Sequence, residues 1–236
     1  MIVKSKTLSK STYIRSLQCL KSLYLYKNYY KEKDPLPIEL LRRFRQGTQF
    51  GKLAWHLFPN GMDMSPKSVF FHAIVRAAKN VEAYLLQNDT ITLYEASFCY
   101  NSALTILDIL EKKNNLLYAY EVKSSVEITP TYLNDAAFQY YVMTQAGFKP
   151  EKFYIVHMRT GANLDNIGTE DVCISDVTAI VIDKQNFVEE HIVKAFEAMT
   201  DDKLLLVPKG EHCTKPYLCD FAGFCSRQEN TKNTTL

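Results

Sequence analysis

Asp108 and Glu121 each interrupt an apolar stretch, Ile106-Leu107-Asp108-Ile109 and Ala119-Tyr120-Glu121-Val122, and Lys123 follows the glutamate by two places. The segments that carry them, Ser102 to Leu110 and Leu116 to Ser124, read as strands, as does Thr90 to Tyr100 before them; short polar joints at Asn101-Ser102 and Asn114-Asn115 separate the three. A hairpin centred between Asn114 and Asn115 pairs residues whose numbers sum to 229 and sets Asp108 opposite Glu121. One centred between Asn101 and Ser102 gives a sum of 203 and sets Glu95 opposite Asp108. Neighbours in such a row have Cβ atoms roughly 4.5–5.5 Å apart, where like charges destabilise the sheet. A divalent cation turns that repulsion into coordination, and Lys123, two residues after Glu121, points to the same face. The bland alternative is that the acids face solvent, since a one-residue shift at either joint flips a side chain to the other face.

The elements around this row follow from pattern and punctuation. Ser9 or Ser11 caps a helix expected to run to about Asn28, with Ile14, Leu17, Leu20 and Leu25 on its apolar side. A second helix spans about Ile38 to Leu57, and a third is expected from Ser65-Pro66 to about Gln87, with proline at its first position. After the three strands, Thr129-Pro130 opens a helix that Gly147 closes. Phe153 to Met158 is an apolar strand, Val177 to Ile182 a candidate strand, and Gln185 to Met199 an amphipathic helix. From Pro208 the chain has little regular pattern but is rich in cysteine. The order predicts an α/β fold in one domain over 1–236: a helical N-terminal part over 1–88 that includes Cys19, a catalytic core over 89–200, and a cysteine-rich tail over 201–236.

With 236 residues, 47% of them hydrophobic, the chain has ample material for a core. Met1 to Lys10 is basic and polar, with no apolar stretch of membrane-spanning length behind it, so a cytoplasmic protein with no membrane partner is expected and the six cysteines read as thiols or metal ligands before disulfides. Between Met1 and Lys52 twelve Lys and Arg face three acids, a balance of +9, which leaves −7 for the remainder of a chain whose net charge is +2. Such asymmetry suits a basic region that meets a polyanion, or equally a solvated basic helix.

Asp108 followed by Glu121-Val122-Lys123 resembles the D…(D/E)XK signature of PD-(D/E)XK nucleases. Arg45-Gln46-Gly47-Thr48-Gln49-Phe50-Gly51 resembles the GT-containing helix of the RecB-like branch, and Ala137-Phe138-Gln139-Tyr140-Tyr141 its glutamine-bearing helix. Cys19, distant in sequence from Cys213, Cys219 and Cys225, is similar to the cysteine set of iron–sulfur nucleases in that branch, such as the CRISPR-associated adaptation exonuclease and the AddB-type repair nucleases. Lys10-Ser11-Thr12-Tyr13 through Leu17-Gln18-Cys19 resembles the opening segment of a bacterial family in the same group, and the likeness runs from about Leu8 to Cys225.

The resemblance implies a restriction-endonuclease-like core: a three-strand antiparallel meander, a helix and a further strand. It implies Mg²⁺ or Mn²⁺ on Asp108, Glu121 and the Val122 carbonyl, with Glu95 a further candidate ligand. It implies that Lys123 orients or helps deprotonate the attacking water, and that Gln139 reaches the metal, the water or DNA. Related nucleases often carry a metal-binding histidine where this chain has Gly51; His56 and His72 lie elsewhere, and Met143 stands where a tyrosine is usual.

Five residues separate each pair among Cys213, Cys219 and Cys225, a spacing atypical of zinc knuckles. With Cys19 they make four thiolates, the complement of a [4Fe–4S] cluster, for which zinc is a possible substitute. Cys99 and Cys173 are expected to be buried small residues. The implied partner is DNA, single-stranded ends above all. Lys21, Lys27 and Lys31 among Tyr24, Tyr26, Tyr29 and Tyr30, together with Tyr140, are candidate strand contacts by charge and stacking; helix packing accounts for the tyrosines equally well. Two rivals remain at this level: a nucleic-acid-binding protein that keeps the fold without useful catalysis, and an iron–sulfur redox protein in which the carboxylate row is incidental.

Overall fold

The computed structural model describes residues 6–162 and 167–233. The two Asn-containing joints are two-residue turns with positive φ at both positions, 43° and 68° at Asn101 and Ser102 and 51° and 65° at Asn114 and Asn115, the backbone that suits the right-handed twist of a hairpin. They connect β3 (Ile91–Tyr100), β4 (Ala103–Lys113) and β5 (Leu116–Lys123) in an antiparallel meander. Ile109 pairs with Tyr120 and Tyr94 with Ile109, so both ladders keep the expected sums, but neither Asp108–Glu121 nor Glu95–Asp108 is itself a ladder pair.

Four further strands complete a seven-stranded sheet. Helix α5 (Pro130–Gln145) crosses over from β5 to β6 (Lys152–Met158), which lies parallel to β5, and β7 (Val172–Asp176) pairs antiparallel to β6. The α5 crossover is capped as expected, by the Thr129 side chain at one end and by Gly147 at φ 90° beyond the other. Two short strands come from the N-terminal part. β2 (Met62–Asp63) lies parallel to β3, and β1 (Leu8–Ser9) parallel to the start of β4.

Helices cover both faces. On one side α1 (Lys10–Gln18), α2 (Leu20–Asn28), α4 (Phe71–Gln87), α5, α6 (Thr178–Asp183) and α7 (Gln185–Ala198) bury the larger core, which includes Tyr13, Leu23, Val81, Phe138, Val181 and Ile192. On the other side α3 (Ile38–Trp55) places Ala54 over Tyr94, Ile109, Tyr120 and Val156. Tyr13 stacks on Phe138 with ring centroids 4.4 Å apart. That contact is worth about 0.5–1.5 kcal/mol beyond the area buried, and it fixes α1 against α5.

Side-chain alternation breaks at one point on two neighbouring strands. Tyr94 belongs to the α3-side core and Ala96, two residues on, to the other; Ile109 and Leu107 divide in the same way. Between them lie Glu95, whose φ of 52° is left-handed, and Asp108. Both strands therefore change faces at the same level and keep their register on either side, but the Glu95–Asp108 pair itself drops out of the ladder.

Several sequence-based expectations are corrected. The first helix is two helices broken at Cys19, whose backbone is extended (φ −163°, ψ 115°) and caps both. The third helix begins at Phe71 and not at Ser65-Pro66, because Asp63 Oδ1 accepts hydrogen bonds from the Ser65 amide and hydroxyl and holds a turn there. Thr178–Asp183 is helical, since Asp176 Oδ1 accepts from the Thr178 amide at 2.9 Å and ends β7. The cysteine-rich tail carries a helix, α8 (Ala222–Asn233). Cys99 and Cys173 are half-buried rather than buried.

The left-handed backbone at Glu95 gives a signed prediction. Glycine within a strand normally costs about 0.5–1 kcal/mol relative to alanine, whereas here Glu95→Gly should be more stable than Glu95→Ala by about 1 kcal/mol in urea unfolding.

Candidate active site

The meander splays at the level of the face switch. The β4–β5 ladder ends at Ile109–Tyr120, and the start of β4 pairs with β1 instead. In the fork between them the Asp108 carboxylate accepts the Val122 amide at 2.6 Å. Glu121, on the same arm of β5, is 1% exposed.

Three groups hold Glu121. Its Oε1 accepts from Lys123 Nζ at 2.6 Å and from Lys10 Nζ at 2.8 Å. Its Oε2 accepts from Gln139 Nε2 at 2.7 Å, and the Gln139 carbonyl in turn accepts from the Thr105 hydroxyl at 3.0 Å. Lys123 also bonds Asp135 Oδ2 at 2.5 Å and lies over the Tyr132 ring at 5.3 Å. Lys10 reaches the site because β1 lays Ser9 beside Leu104, and a capping box between Ser9 and Thr12 starts α1 at the next residue.

The charges are strongly coupled. Burial and the neighbouring Glu121 lift the Asp108 carboxyl to about 7, against the pull of Lys10, Lys123 and the Val122 amide. Burial also works against ionised Glu121, but Lys10 and Lys123 outweigh it and bring that carboxyl down to about 2. Asp135 is pushed up, by burial first, and its Oδ1 is buried with no hydrogen-bond partner. Both lysines are held protonated: burial opposes their charge, and the surrounding carboxylates more than restore it. Lys123 donates to both Glu121 and Asp135.

Of the expected site residues, Asp108, Glu121, Lys123 and Gln139 converge. Glu95 is half-buried and out of the ladder; burial raises its pKa, with Glu121 and Asp63 adding to the shift and Lys10 opposing it. Val122 contributes its N–H to Asp108, and its side chain packs in the α3-side core. His56 is exposed at the end of α3, and His72 is exposed and stacks on Phe70. Met143 is buried in the larger core.

The strand contacts assigned to Lys21, Lys27 and Tyr140 are corrected. Lys21 is buried, with Nζ donating to the Leu205 and Val207 carbonyls; Lys27 donates to the Thr7 carbonyl; Tyr140 is in the core. Tyr24 is buried as well, while Tyr29 and Tyr30 are exposed. Lys10, Asp135 and Thr105 are members of the site that sequence reasoning missed. Asp135 had a signal, since it lies one helical turn before Gln139 in an otherwise apolar helix face.

Cys19, Cys213, Cys219 and Cys225 line one small cavity, together with Lys21, Ser22 and His212. All are free thiols. Burial raises the Cys19 and Cys225 thiols, and the Ser22 and Lys21 amides partly offset this at Cys19. Among the described residues no group of three His, Cys, Asp or Glu stands in a metal-holding arrangement. At the carboxylates, two ammoniums supply the positive charge beside Glu121 Oε1. Asp135 Oδ1 is buried without a partner, and carboxylate oxygens are the donor type that hard divalent cations take.

No family model and no curated protein matches the chain. Among solved structures, an alkaline exonuclease from Laribacter hongkongensis aligns with a TM-score of 0.43 at 10% identity, over 83% of this chain and 91% of that one. The protein SSO0001 aligns with a TM-score of 0.32 at 11% identity, over 82% and 79%. Similarity at this level carries no chemistry with it; what the site can do follows from its own side chains.

The raised Asp108 carboxyl makes a pH prediction for the metal-free protein. A carboxyl whose folded pKa lies above its unfolded value weakens the fold increasingly as pH rises from about 4 to about 7, and by a constant amount above that. Asp108→Asn, which keeps an acceptor for the Val122 amide, should raise the stability of the protein in EDTA at pH 8. The gain should shrink towards zero by about pH 4 in denaturant titrations.

Proposed function

We propose that the protein is a metal-dependent nuclease of the PD-(D/E)XK type that hydrolyses DNA phosphodiester bonds, acting as an exonuclease on single-stranded ends. The observation that carries this reading is the grip on Glu121: Lys123 and Lys10 on one oxygen, Gln139 on the other, and the Asp108 carboxylate on the adjoining amide. Asp108 and Glu121 would hold Mg²⁺ or Mn²⁺, with the Val122 carbonyl and Glu95 as further ligands. Such an ion lowers the pKa of a bound water to near neutrality and offsets charge on the phosphate. Gln139 fixes the Glu121 carboxylate in one orientation. Lys123, kept protonated by Asp135 and Glu121, donates to the attacking water or to a non-bridging phosphate oxygen. Lys10 adds a second positive charge on the side where the phosphate would sit.

Asp108→Ala and Lys123→Ala should each lower Mn²⁺-dependent degradation of labelled single-stranded DNA by at least about 100-fold. Equal, weak activity in both variants and the wild type would sink the catalytic reading. The Lys10–Glu121 pair favours a second reading, a nucleic-acid-binding protein of the same fold whose own ammonium keeps metal out. Lys10→Met decides between them. If the pair yields readily, the substitution tightens Mn²⁺ binding by about tenfold while DNA degradation falls; if it blocks the site, degradation appears only in the variant.

A [4Fe–4S] cluster on the four cysteines that line this cavity would join the break between α1 and α2 to the tail, with zinc as the substitute in aerobic samples. Protein purified anaerobically should carry iron and acid-labile sulfide in equal amounts, and Cys219→Ser should lose both. Zinc alone in the anaerobic protein would overturn the cluster.

A further inference from the structure

Helix α3 is packed over only half its length. Its buried residues are Phe50 and Ala54, near its C-terminal end. Toward its N-terminus Ile38 is 79% exposed and Phe44 55%, with Leu41 exposed as well. Their three-residue spacing makes a ridge along one side of the helix. Arg42, Arg43 and Arg45 are exposed around that ridge, and among the described residues none has an ion-pair partner. A surface that joins apolar side chains to three unpaired guanidiniums is poorly suited to water alone and repels a basic partner.

Its placement adds to its chemistry. Gly47, two residues beyond Arg45, faces the residue after β5: a Cβ there would be in ordinary contact, 3.6 Å, with Ser124 Oγ, and Ser124 adjoins Lys123. At the other end, the segment before α3 is tied to the tail, where Asp34 N–H donates to the Asp220 carbonyl and Asp34 Oδ2 accepts from the Gly223 amide. The exposed half of α3 is thus held at both ends, and its inner end meets the chain just after Lys123.

We propose that residues 38–46 form a contact arm for a single nucleic-acid strand, with Arg42, Arg43 and Arg45 on successive phosphates and Phe44 stacked on a base. The inference rests on the nuclease reading for what happens at the far end of the strand, but not for the binding itself. Charge complementarity chooses a polyanion, and the aromatic ring among the arginines chooses a single strand. Guanidinium groups match phosphate geometry in pairs of hydrogen bonds, and an exposed ring needs a base face that a duplex hides in its stack.

The test is fluorescence anisotropy of a labelled single-stranded oligonucleotide with the full chain in EDTA, across a salt series. Removing three phosphate contacts should lower the slope of log K against log salt by about 2 in the R42Q/R43Q/R45Q triple variant. A charge-matched control, K79Q/K149Q/K194Q, should keep the wild-type slope. Phe44→Ala should weaken single-strand binding by about tenfold with the slope unchanged, and should leave binding to a blunt duplex unaltered. No binding by the wild type at low salt, equal slopes in the two triple variants, or a wild-type dimer that the arm substitutions dissociate would each overturn the arm, the last in favour of a second copy seated on α3. Because binding is read where no cleavage occurs, its loss in the arm variants and an absence of Mn²⁺-dependent cleavage in the wild type are separate results.

Discussion

Everything at the centre of this molecule is arranged around one buried carboxylate. Glu121 is 1% exposed, and an isolated charge at that depth would neutralise itself or unfold its surroundings. It stays ionised because Lys10 and Lys123 bond one oxygen and Gln139 the other. Removing one partner of such a group leaves the rest uncompensated, which is why breaking a buried pair costs much more than the pair contributes when intact. The neighbours carry the cost of this arrangement. Asp108 is driven up to about 7, and Asp135 keeps an oxygen without a partner. Three acids, Asp108, Glu121 and Asp135, thus share two ammoniums, Lys10 and Lys123.

The sheet makes room for this by a local irregularity. Had β3 and β4 alternated regularly throughout, every second residue would have remained on one face, and the hydrophobic cores on the two sides could not both have been filled by the side chains present. The switch at Glu95 and Asp108 lets Leu93, Ala96 and Phe98, and likewise Leu107 and Leu110, all reach the larger core. It also ends the pairing of β4 with β5, so that a strand edge normally sealed by backbone hydrogen bonds opens onto side-chain chemistry. Irregular pairing beside an active site is a common way to re-aim side chains.

Much of this was legible in the sequence, and the reasons are specific. The joints at Asn101-Ser102 and Asn114-Asn115 are short enough, and rich enough in residues that tolerate positive φ, to set both registers without reference to the rest of the chain. That set the level of Asp108 and Glu121, although the ladder opens before it pairs them. The paired face switch was not legible, because it needs two strands to break alternation at the same level and neither shows it alone. Lys10 was hidden because it arrives through a two-residue strand 111 positions away from its partner. Lys21 and Lys27 looked like surface charge because sequence shows the cation but not the backbone carbonyls that receive it. The break at Cys19 was missed for a related reason: nothing in the local helix pattern announces it, and its purpose is visible only when the tail folds back onto it.

The short strand β1 has a consequence for how the molecule comes together. Lys10 and Glu121 are 111 residues apart, and the Arg15–Asp220 pair that ties α1 to the tail spans 205. Contacts of that range form late, since the loop entropy they require is lost before any of their energy is returned. The meander and α5 are local and can form early, which leaves the fork open, with Glu121 facing water and Lys10 elsewhere. Closure of the charge cluster around Glu121 therefore rests on some of the longest-range contacts of the fold.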